Sequence, residues 1–550
     1  MTLNILAVSA EAYPLAKTGG LGDAVSGMAQ GIAMEGVAIT LLLPAYPGAI
    51  GQLLGAREVA VLDDLPGGRA TLVAGRSQAL DLPVLLLRND ALYDREGLYV
   101  SADGVPFDDN HVRFAALSHA AVHVARGLDG VPRPHIVHAH DWHTALAPWL
   151  MRRTGLSDVK SVLTLHNIAF QGNFNADVVK EIGIGAVRAA SLMLYGQVNF
   201  LAAGLRSADT ITVVSHNYAR EILTPAFGCG LEGLLQSRRE DIVPIANGID
   251  SQTWDPETDR YLNGHAFSLN RLDNKALCKT DLQHAFGLDE RPDATVMAVG
   301  SRMTEQKMAD VLIPAVPMML ETHPELQVCI MGKGDHAIEA GLCGMASAYP
   351  GRCAVWVGFD EARSHLLHAG ADILLHGSRF EPFGLTPLYA MRYGTVPIGS
   401  SVGGMVDTIV DPGPGLPPGA MRRATGVLFS GETPFDMARA VSRAMSLRRI
   451  PEVWRMMQAN GMRADFSWNK TTPAYLMAYQ ALRPDVALDR IPERRGGLLG
   501  RRRWGGSAAQ QVAVPASQAQ RGRGADSIAI RLRGNGDHSS TTPRGASTLF

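Results

Sequence analysis

At 550 residues the chain is too long for one small domain, at roughly 150 residues per domain, and long enough for two large ones. Apolar residues make up 46% and charged residues 19%, which excludes a disordered, collagenous or coiled-coil protein. With 51 Lys plus Arg against 53 Asp plus Glu, the net charge of −2 gives no global field for nucleic acid or an anionic membrane, so any bound anion must be held locally.

The first predicted strand is ILAVSA at 5–10, which runs directly into a Gly-rich loop. With no basic segment before it and no cleavage-type site after it, it reads as a buried strand and not as a secretory leader. Further apolar runs follow at ITLLLP 39–44, VLLL 84–87, IVHAH 136–140, VLTLH 162–166 and TITVVS 210–215, alternating with longer amphipathic stretches. That is the rhythm of a parallel α/β sheet covered on both faces. It closes with IVPIANGID at 242–250 and, after an irregular stretch, restarts with ATVMAVGS 294–301, LQVCIMG 326–332, CAVWVG 353–358, ADILLHG 371–377 and VPIGS 396–400. Two α/β domains with a boundary near 250 are expected. Each half carries a Gly-Gly-apolar-x-Asp segment, Gly19-Gly20-Leu21-Gly22-Asp23 and Gly403-Gly404-Met405-Val406-Asp407, so the halves should face each other across a cleft. Ligands of open α/β sheets bind outside the carboxyl ends of the strands.

From Pro484 onward the chain has 11 arginines, no lysine and five acidic residues, a charge of +6 that leaves −8 on the rest of a chain totalling −2. Lacking periodic apolar faces, 484–550 is predicted to be a disordered, solvated tail, with polyanion contact through 494–506 as the lesser alternative. The five cysteines, at 229, 278, 329, 343 and 353, fit no C-x-x-C spacing and no disulfide framework, which points to a reducing cytoplasm. No uncharged apolar run approaches the roughly 20 residues of a membrane span, and no membrane or nucleic-acid partner is expected.

Several segments carry chemistry. In AYPLAKTGGLGD (12–23), placed before a helix predicted over about 24–35, Gly19 and Gly20 allow backbone amides to approach a ligand, Lys17 adds a full charge, and Asp23 can orient a hydroxyl or cap the helix. A plain turn is the competing reading. In GSRMTEQK (300–307), Arg302 and Lys307 stand on a strand-to-helix turn where they can converge on a diphosphate, the alternative being a surface ion pair with Glu305. In HGSRFEPFGLTPLYAMRYG (376–394), Glu381 sits in a rigid turn suited to sugar hydroxyls, and Gly384 and Leu385 open a helix. HAHDWHT (138–144) invites a zinc reading through its histidines and Asp141, but it lacks H-E-x-x-H spacing or a Cys partner, so no metal is expected. LHNIAFQG (165–172) places His166 at the end of a strand. There is neither a G-x-x-x-x-G-K-[ST] loop nor an Asp-x-Asp triplet, so a diphosphate must be neutralised by protein cations.

KTGGLGD, HDWHT, LHNIAFQG, ANGID, SRMTEQK, HGSRFEPFGLTPLYAMRYG, VGGMVDTI and DFSW occur in one order across residues 11–468. Together they resemble the family of bacterial glycogen synthases and plant starch synthases. The resemblance implies a GT-B fold, with two Rossmann-like α/β domains facing a deep cleft. These are an acceptor-side domain over 1–250 and a nucleotide-sugar-binding domain over 251–465, followed by a helix over 466–483 that crosses back to pack on the first domain. The implied activity is retaining transfer of glucose from ADP-glucose to the non-reducing end of an α-1,4-glucan such as glycogen, with no cofactor and no metal. By the same resemblance Lys17, Gly19 and Gly20 contact the nucleotide sugar, Arg302 and Lys307 hold the diphosphate, and Glu381 binds glucose hydroxyls near the Gly384 and Leu385 amides. Asp23, Asp141, His166 and Asn247 line the sugar or acceptor site, and Phe359 takes the place of an aromatic that stacks on adenine. Three departures stand out: Phe383 replaces a cysteine, Met308 replaces the glycine after the lysine, and His216-Asn217 replaces Pro-Thr. The alternatives are a GT-B enzyme using UDP-glucose or another acceptor, and a glucan-binding protein without turnover. The retained cations argue against the last, since polysaccharide binding alone needs no diphosphate clamp.

Overall fold

A computed structural model describes residues 3–486, apart from 103, 186–188, 414, 416 and 417. The arginine-rich tail expected over 484–550 thus lies, from 487 onward, outside the described residues. No described helix is long and apolar enough to cross a membrane.

The first half supplies β1 (Asn4–Val8), β2 (Ala38–Pro44), β3 (Leu53–Leu62), β4 (Ala70–Ser77), β5 (Leu82–Arg88), β6 (Ile136–His140) and β7 (Lys160–Leu165). A small sheet of β8 (Asn173–Phe174), β9 (Met193–Leu194) and β10 (Gln197–Asn199) follows, then β11 (Thr210–Val213) and β12 (Ile242–Pro244). The main sheet has nine strands in the order β12-β11-β7-β6-β1-β2-β5-β4-β3, with β3 and β4 antiparallel additions at one edge. Its central strands are buried on both faces, which is why Ile5 to Val8 reads as an unbroken apolar run and Ile136 to Ala139 as one interrupted only by the buried His138. The second half supplies β13 (Thr295–Gly300), β14 (Leu326–Gly332), β15 (Cys353–Val357), β16 (Ile373–His376), β17 (Val396–Ser400) and β18 (Val427–Phe429). They form a parallel sheet in the order β15-β14-β13-β16-β17-β18.

Both domains are Rossmann-like, and in each the strand order reverses at one place, between β1 and β6 in the first and between β13 and β16 in the second. Connections leave such a pair of strands toward opposite sides and open a crevice at their carboxyl ends.

The last described helix, Trp468–Leu482, packs on the first domain against the helix Gly20–Met34. The approach depends on two glycines one turn apart. A Cβ on Gly27 would stand 1.9 Å from Trp468 Nε1, and one on Gly31 would stand 2.3 Å from Thr472 Oγ1. Tyr479 then reaches the sheet, its hydroxyl 2.8 Å from His138 Nδ1. At the domain junction the Ile249 N–H donates to Phe466 O at 2.8 Å, and Ser215 Oγ donates to Pro382 O at 2.9 Å. Two short helices, His216–Glu221 and Gly403–Thr408, exchange bonds across the junction. The Asn217 N–H donates to Asp407 Oδ2 at 2.9 Å, and the Gly403 N–H donates to both Glu221 carboxylate oxygens at 3.0 Å.

Gly27→Ala should force the two helices apart and cost about 1–3 kcal/mol, as overpacking does. Gly51→Ala, whose Cβ would meet nothing within 4 Å, is the control and should stay within about 0.5 kcal/mol of the parent. Denaturant unfolding of both variants provides the comparison.

Candidate active site

Sequence-predicted residues of both domains lie just after strands, most of them at or beside the switch points, with Asn247 and Phe359 after the edge strands β12 and β15. Lys17, Gly19, Gly20 and Asp23 follow β1, Asp141 and His166 follow the adjacent β6 and β7, and Asn247 follows β12. Arg302 and Lys307 follow β13, Glu381, Gly384 and Leu385 follow β16, and Phe359 follows β15. The two sets meet, since a Cβ on Gly20 would lie 3.4 Å from Leu385 Cδ1 of the other domain.

On the second domain Lys307 forms an ion pair with Glu381, not with Glu305, and His376 Nε2 lies 3.0 Å from the same Glu381 oxygen. The Lys307 and Glu381 side chains are only 12% and 10% exposed. Burial pushes the Glu381 carboxyl up, but the Lys307 ammonium and His376 outweigh it and hold the group well below the ordinary glutamate range. Burial, reinforced by Lys307, lowers His376, which keeps the imidazole neutral. Arg302 is exposed, and Nη2 donates to Gln306 Oε1 at 2.9 Å. The loop before Glu381 is fastened to this turn by Arg379, which forks onto Asp310 at 2.9 and 2.8 Å and donates its N–H to Gln306 O at 2.9 Å.

The Gly-Gly segments play different parts. Gly403 has φ 48°, and a Cβ there would fall 1.5 Å from Glu381 O, while one on Gly404 would fall 2.4 Å from Phe383 O. This pair lets a helix start press against the backbone of the Glu381 loop. A Cβ on Gly19, by contrast, would meet nothing within 4 Å. The Gly19 N–H is occupied by the protein itself, donating to Glu11 Oε2 at 3.2 Å, so in this state it is not the free anion donor that the resemblance implies. Glu11 is buried and also accepts from the Thr18 N–H at 2.8 Å, Thr18 Oγ1 at 3.0 Å and Tyr99 OH at 2.7 Å. Lys17 is likewise not a free charge, pairing with Asp23 at 2.8 Å. Burial raises the Asp23 carboxyl and Lys17 opposes the rise. The helix begins at Gly20, earlier than predicted, so Asp23 lies in its first turn.

Asp141 takes a left-handed φ of 55°, which turns its carboxylate back to accept from the N–H groups of His166 at 2.6 Å and Asn167 at 3.2 Å. Burial still pushes it up to about 7. His166 Nε2 lies 3.0 Å from His140 Nδ1, and His138 is taken by Tyr479 and Thr164. Burial pushes His138, His143 and His166 down to about 3, so these imidazoles act uncharged at neutral pH. No group of three or more His, Cys, Asp or Glu among the described residues is arranged to hold a metal ion. Asn247 Oδ1 is buried with no hydrogen-bond partner among the described residues, leaving an acceptor that a ligand hydroxyl can satisfy. Phe359 is 73% exposed on its loop and open to stacking.

Sequence reasoning missed Glu11, Tyr99, Gln306 and the role of His376. A carboxylate at the end of an apolar strand, just before the glycine loop, was the available signal for Glu11. Gln306 and His376 lay inside motifs already singled out, but neutral side chains draw no attention in a search for charge.

Two Rossmann-like domains meeting at their switch points, with cations on one side and buried polar groups on the other, are the architecture of GT-B glycosyltransferases. Residues 4–237 match the family described as starch synthase catalytic domain, and residues 283–461 match glycosyl transferases group 1. A glycogen synthase of Bordetella parapertussis is 53% identical over 497 residues, covering 89% of this chain and 98% of the relative. One of Ralstonia nicotianae is 50% identical, covering 88% and 89%. The solved catalytic domain of starch synthase IV from Arabidopsis thaliana, bound to ADP and acarbose, superposes with a TM-score of 0.78 at 26% identity over 88% of this chain and 99% of that one. The chain belongs to the glycogen synthase and starch synthase family of glycosyltransferases.

The raised Asp141 predicts a pH effect. A carboxyl whose folded pKa lies above its unfolded value contributes stability that is complete below about 3.8 and is lost as pH rises through about 7. Asp141→Asn keeps an acceptor for the two amides and removes the titration. Its unfolding free energy should therefore vary less between pH 4 and about 7 than the parent's, as measured by urea denaturation across that range.

Proposed function

We propose that the protein transfers glucose from ADP-glucose to the non-reducing end of an α-1,4-glucan, with retention of configuration and without a metal. The observation that carries this reading is the placement, at one switch point, of Arg302, a guanidinium with no ion pair among the described residues, beside the Lys307–Glu381 ion pair. Such a site offers net positive charge to a diphosphate and a fixed carboxylate to sugar hydroxyls. The Arabidopsis relative whose structure is described with ADP and acarbose supports an adenine nucleotide and a glucan in the crevice, and Phe359 supplies an exposed face for the base.

In the proposed reaction the bond from glucose C1 to the phosphate oxygen breaks, and Arg302 and Lys307 stabilise the charge gathering on departing ADP. The acceptor 4-hydroxyl attacks C1 from the same face, and its proton passes to the departing phosphate oxygen. A double displacement would need a free carboxylate as nucleophile close to a second carboxyl group. Glu381 is committed to Lys307 and His376, which favours the front-face route. The buried neutral imidazole of His166 can hydrogen-bond a sugar without competing for the proton.

With glycogen as acceptor, radiolabel from ADP-glucose should be incorporated far faster than label from UDP-glucose, and EDTA should leave the rate largely unchanged. Label transfer from UDP-glucose alone would overturn the donor assignment, and glycogen binding without incorporation would overturn the enzymatic one. Lys307→Ala should lower kcat by about 100-fold or more, as loss of a well-placed electrostatic donor does. Circular dichroism of that variant should match the parent, and near-normal turnover would remove Lys307 from the mechanism.

A further inference from the structure

We infer that Gln306 is a positioning residue for the Arg302 guanidinium, and that its neutrality is what leaves Arg302 without a directly bonded carboxylate to compete with its ligand. This rests on the reading that Arg302 and Lys307 hold a nucleoside diphosphate.

Arg302 has one side-chain hydrogen bond among the described residues, from Nη2 to Gln306 Oε1 at 2.9 Å, and no ion pair. An exposed arginine held by nothing would sample many rotamers, and ordering it on a ligand would cost affinity. Gln306 removes much of that freedom, because it is itself fixed at several points. Its Nε2 donates to Phe380 O at 3.3 Å, and its backbone carbonyl accepts from the Arg379 N–H at 2.9 Å and from Ser378 Oγ at 3.2 Å. Phe380 directly precedes Glu381, so the amide spans the turn that carries Arg302 and Lys307 and the loop that carries the sugar-side carboxylate.

The choice of an amide also has an electrostatic consequence. Lys307 is already neutralised by Glu381 in this state, so a second carboxylate beside Arg302 would cancel the remaining positive charge of the turn. A glutamine offers the same acceptor oxygen without the charge. The site thus keeps one cation in an ion pair and one without, among the described residues, and the second is oriented by a neutral group.

The test uses the full-length protein with ADP as the probe, measured by calorimetry, alongside kcat and KM for ADP-glucose. Gln306→Met removes the orienting acceptor. Gln306→Glu retains the shape, adds a competing negative charge and sets a carboxylate oxygen against Phe380 O. Both should weaken ADP binding by about tenfold or more, within the coupling found for residues in direct contact, with Glu the worse of the two. KM should rise with them, while the melting temperature stays near the parent's. In an Arg302→Ala background Gln306→Met should change ADP affinity by less than about twofold, a non-additivity that a merely structural role would not produce, while Gln306→Glu should retain only the loss due to its own charge. Parent-like affinity of Gln306→Glu, or equal losses in both backgrounds, would overturn the inference. If the parent itself fails to bind ADP, the functional reading fails; if the parent binds and the variants match it, only the role of Gln306 fails.

Discussion

The site is organised around the buried contact between Lys307 and Glu381. Each charge alone would carry a heavy desolvation cost at this depth, and removing one partner of such a pair typically costs about 3–5 kcal/mol because the other is left uncompensated. The pair therefore fixes two loops that are 74 residues apart in sequence, one leaving β13 and one leaving β16. An arriving diphosphate can share Lys307 with Glu381 without leaving the carboxylate bare, since His376 remains bonded to it. A site assembled this way is preorganised toward negative charge before any ligand is present.

The same pair explains much of the backbone around it. The Glu381 loop must lie close to the start of the helix Gly403–Thr408, and only residues without a Cβ permit that approach at Gly403 and Gly404. That helix in turn meets the first domain through Asp407 and Glu221, so the loop carrying the carboxylate is braced against the domain junction. On the facing side Glu11 gathers Thr18, Gly19 and Tyr99 and shapes the loop of Lys17 in a comparable way. Both crevice walls are thus set by buried carboxylates that organise neighbouring amides and side chains, with Lys307 held at depth and Lys17 and Arg302 left more exposed.

What the sequence revealed follows from this division. The central parallel strands are buried on both faces and read as largely apolar runs, so the two sheets were legible. The edge strands β3 and β4 were not, because LLGAREVAVL is largely exposed and carries charged residues that blur any apolar pattern. The placement of Lys17, Arg302, Lys307 and Glu381 just after strands was legible because the strands before them read as apolar runs, and it is outside such strand ends that α/β proteins bind ligands. Their partners were not. The Lys307–Glu381 and Lys17–Asp23 pairs, and the capture of the Gly19 amide by Glu11, depend on side-chain direction, which spacing along the chain does not determine. All five cysteines are free thiols in the structure.

The departures from the family pattern are absorbed by packing and leave the charges untouched. Phe383, in place of the usual cysteine, is buried in a cluster with Val214 and Tyr218 of the first domain and Leu388 of its own, so the larger ring adds apolar area at the domain junction. Met308 stands in the left-handed region at φ 52°, where a non-glycine residue costs roughly 1–2 kcal/mol. Its side chain is fully buried against Gly377 and Ser400, and burying a methionine stabilises by about 1.5–3 kcal/mol, enough to offset the backbone strain. Asn217, in place of a threonine, donates its backbone N–H to Asp407, as a threonine would, and adds a side-chain amide bond to Glu221 Oε1 at 2.7 Å. Phe383 and Asn217 therefore bear on how the two domains are held together, while Met308 packs within the second domain.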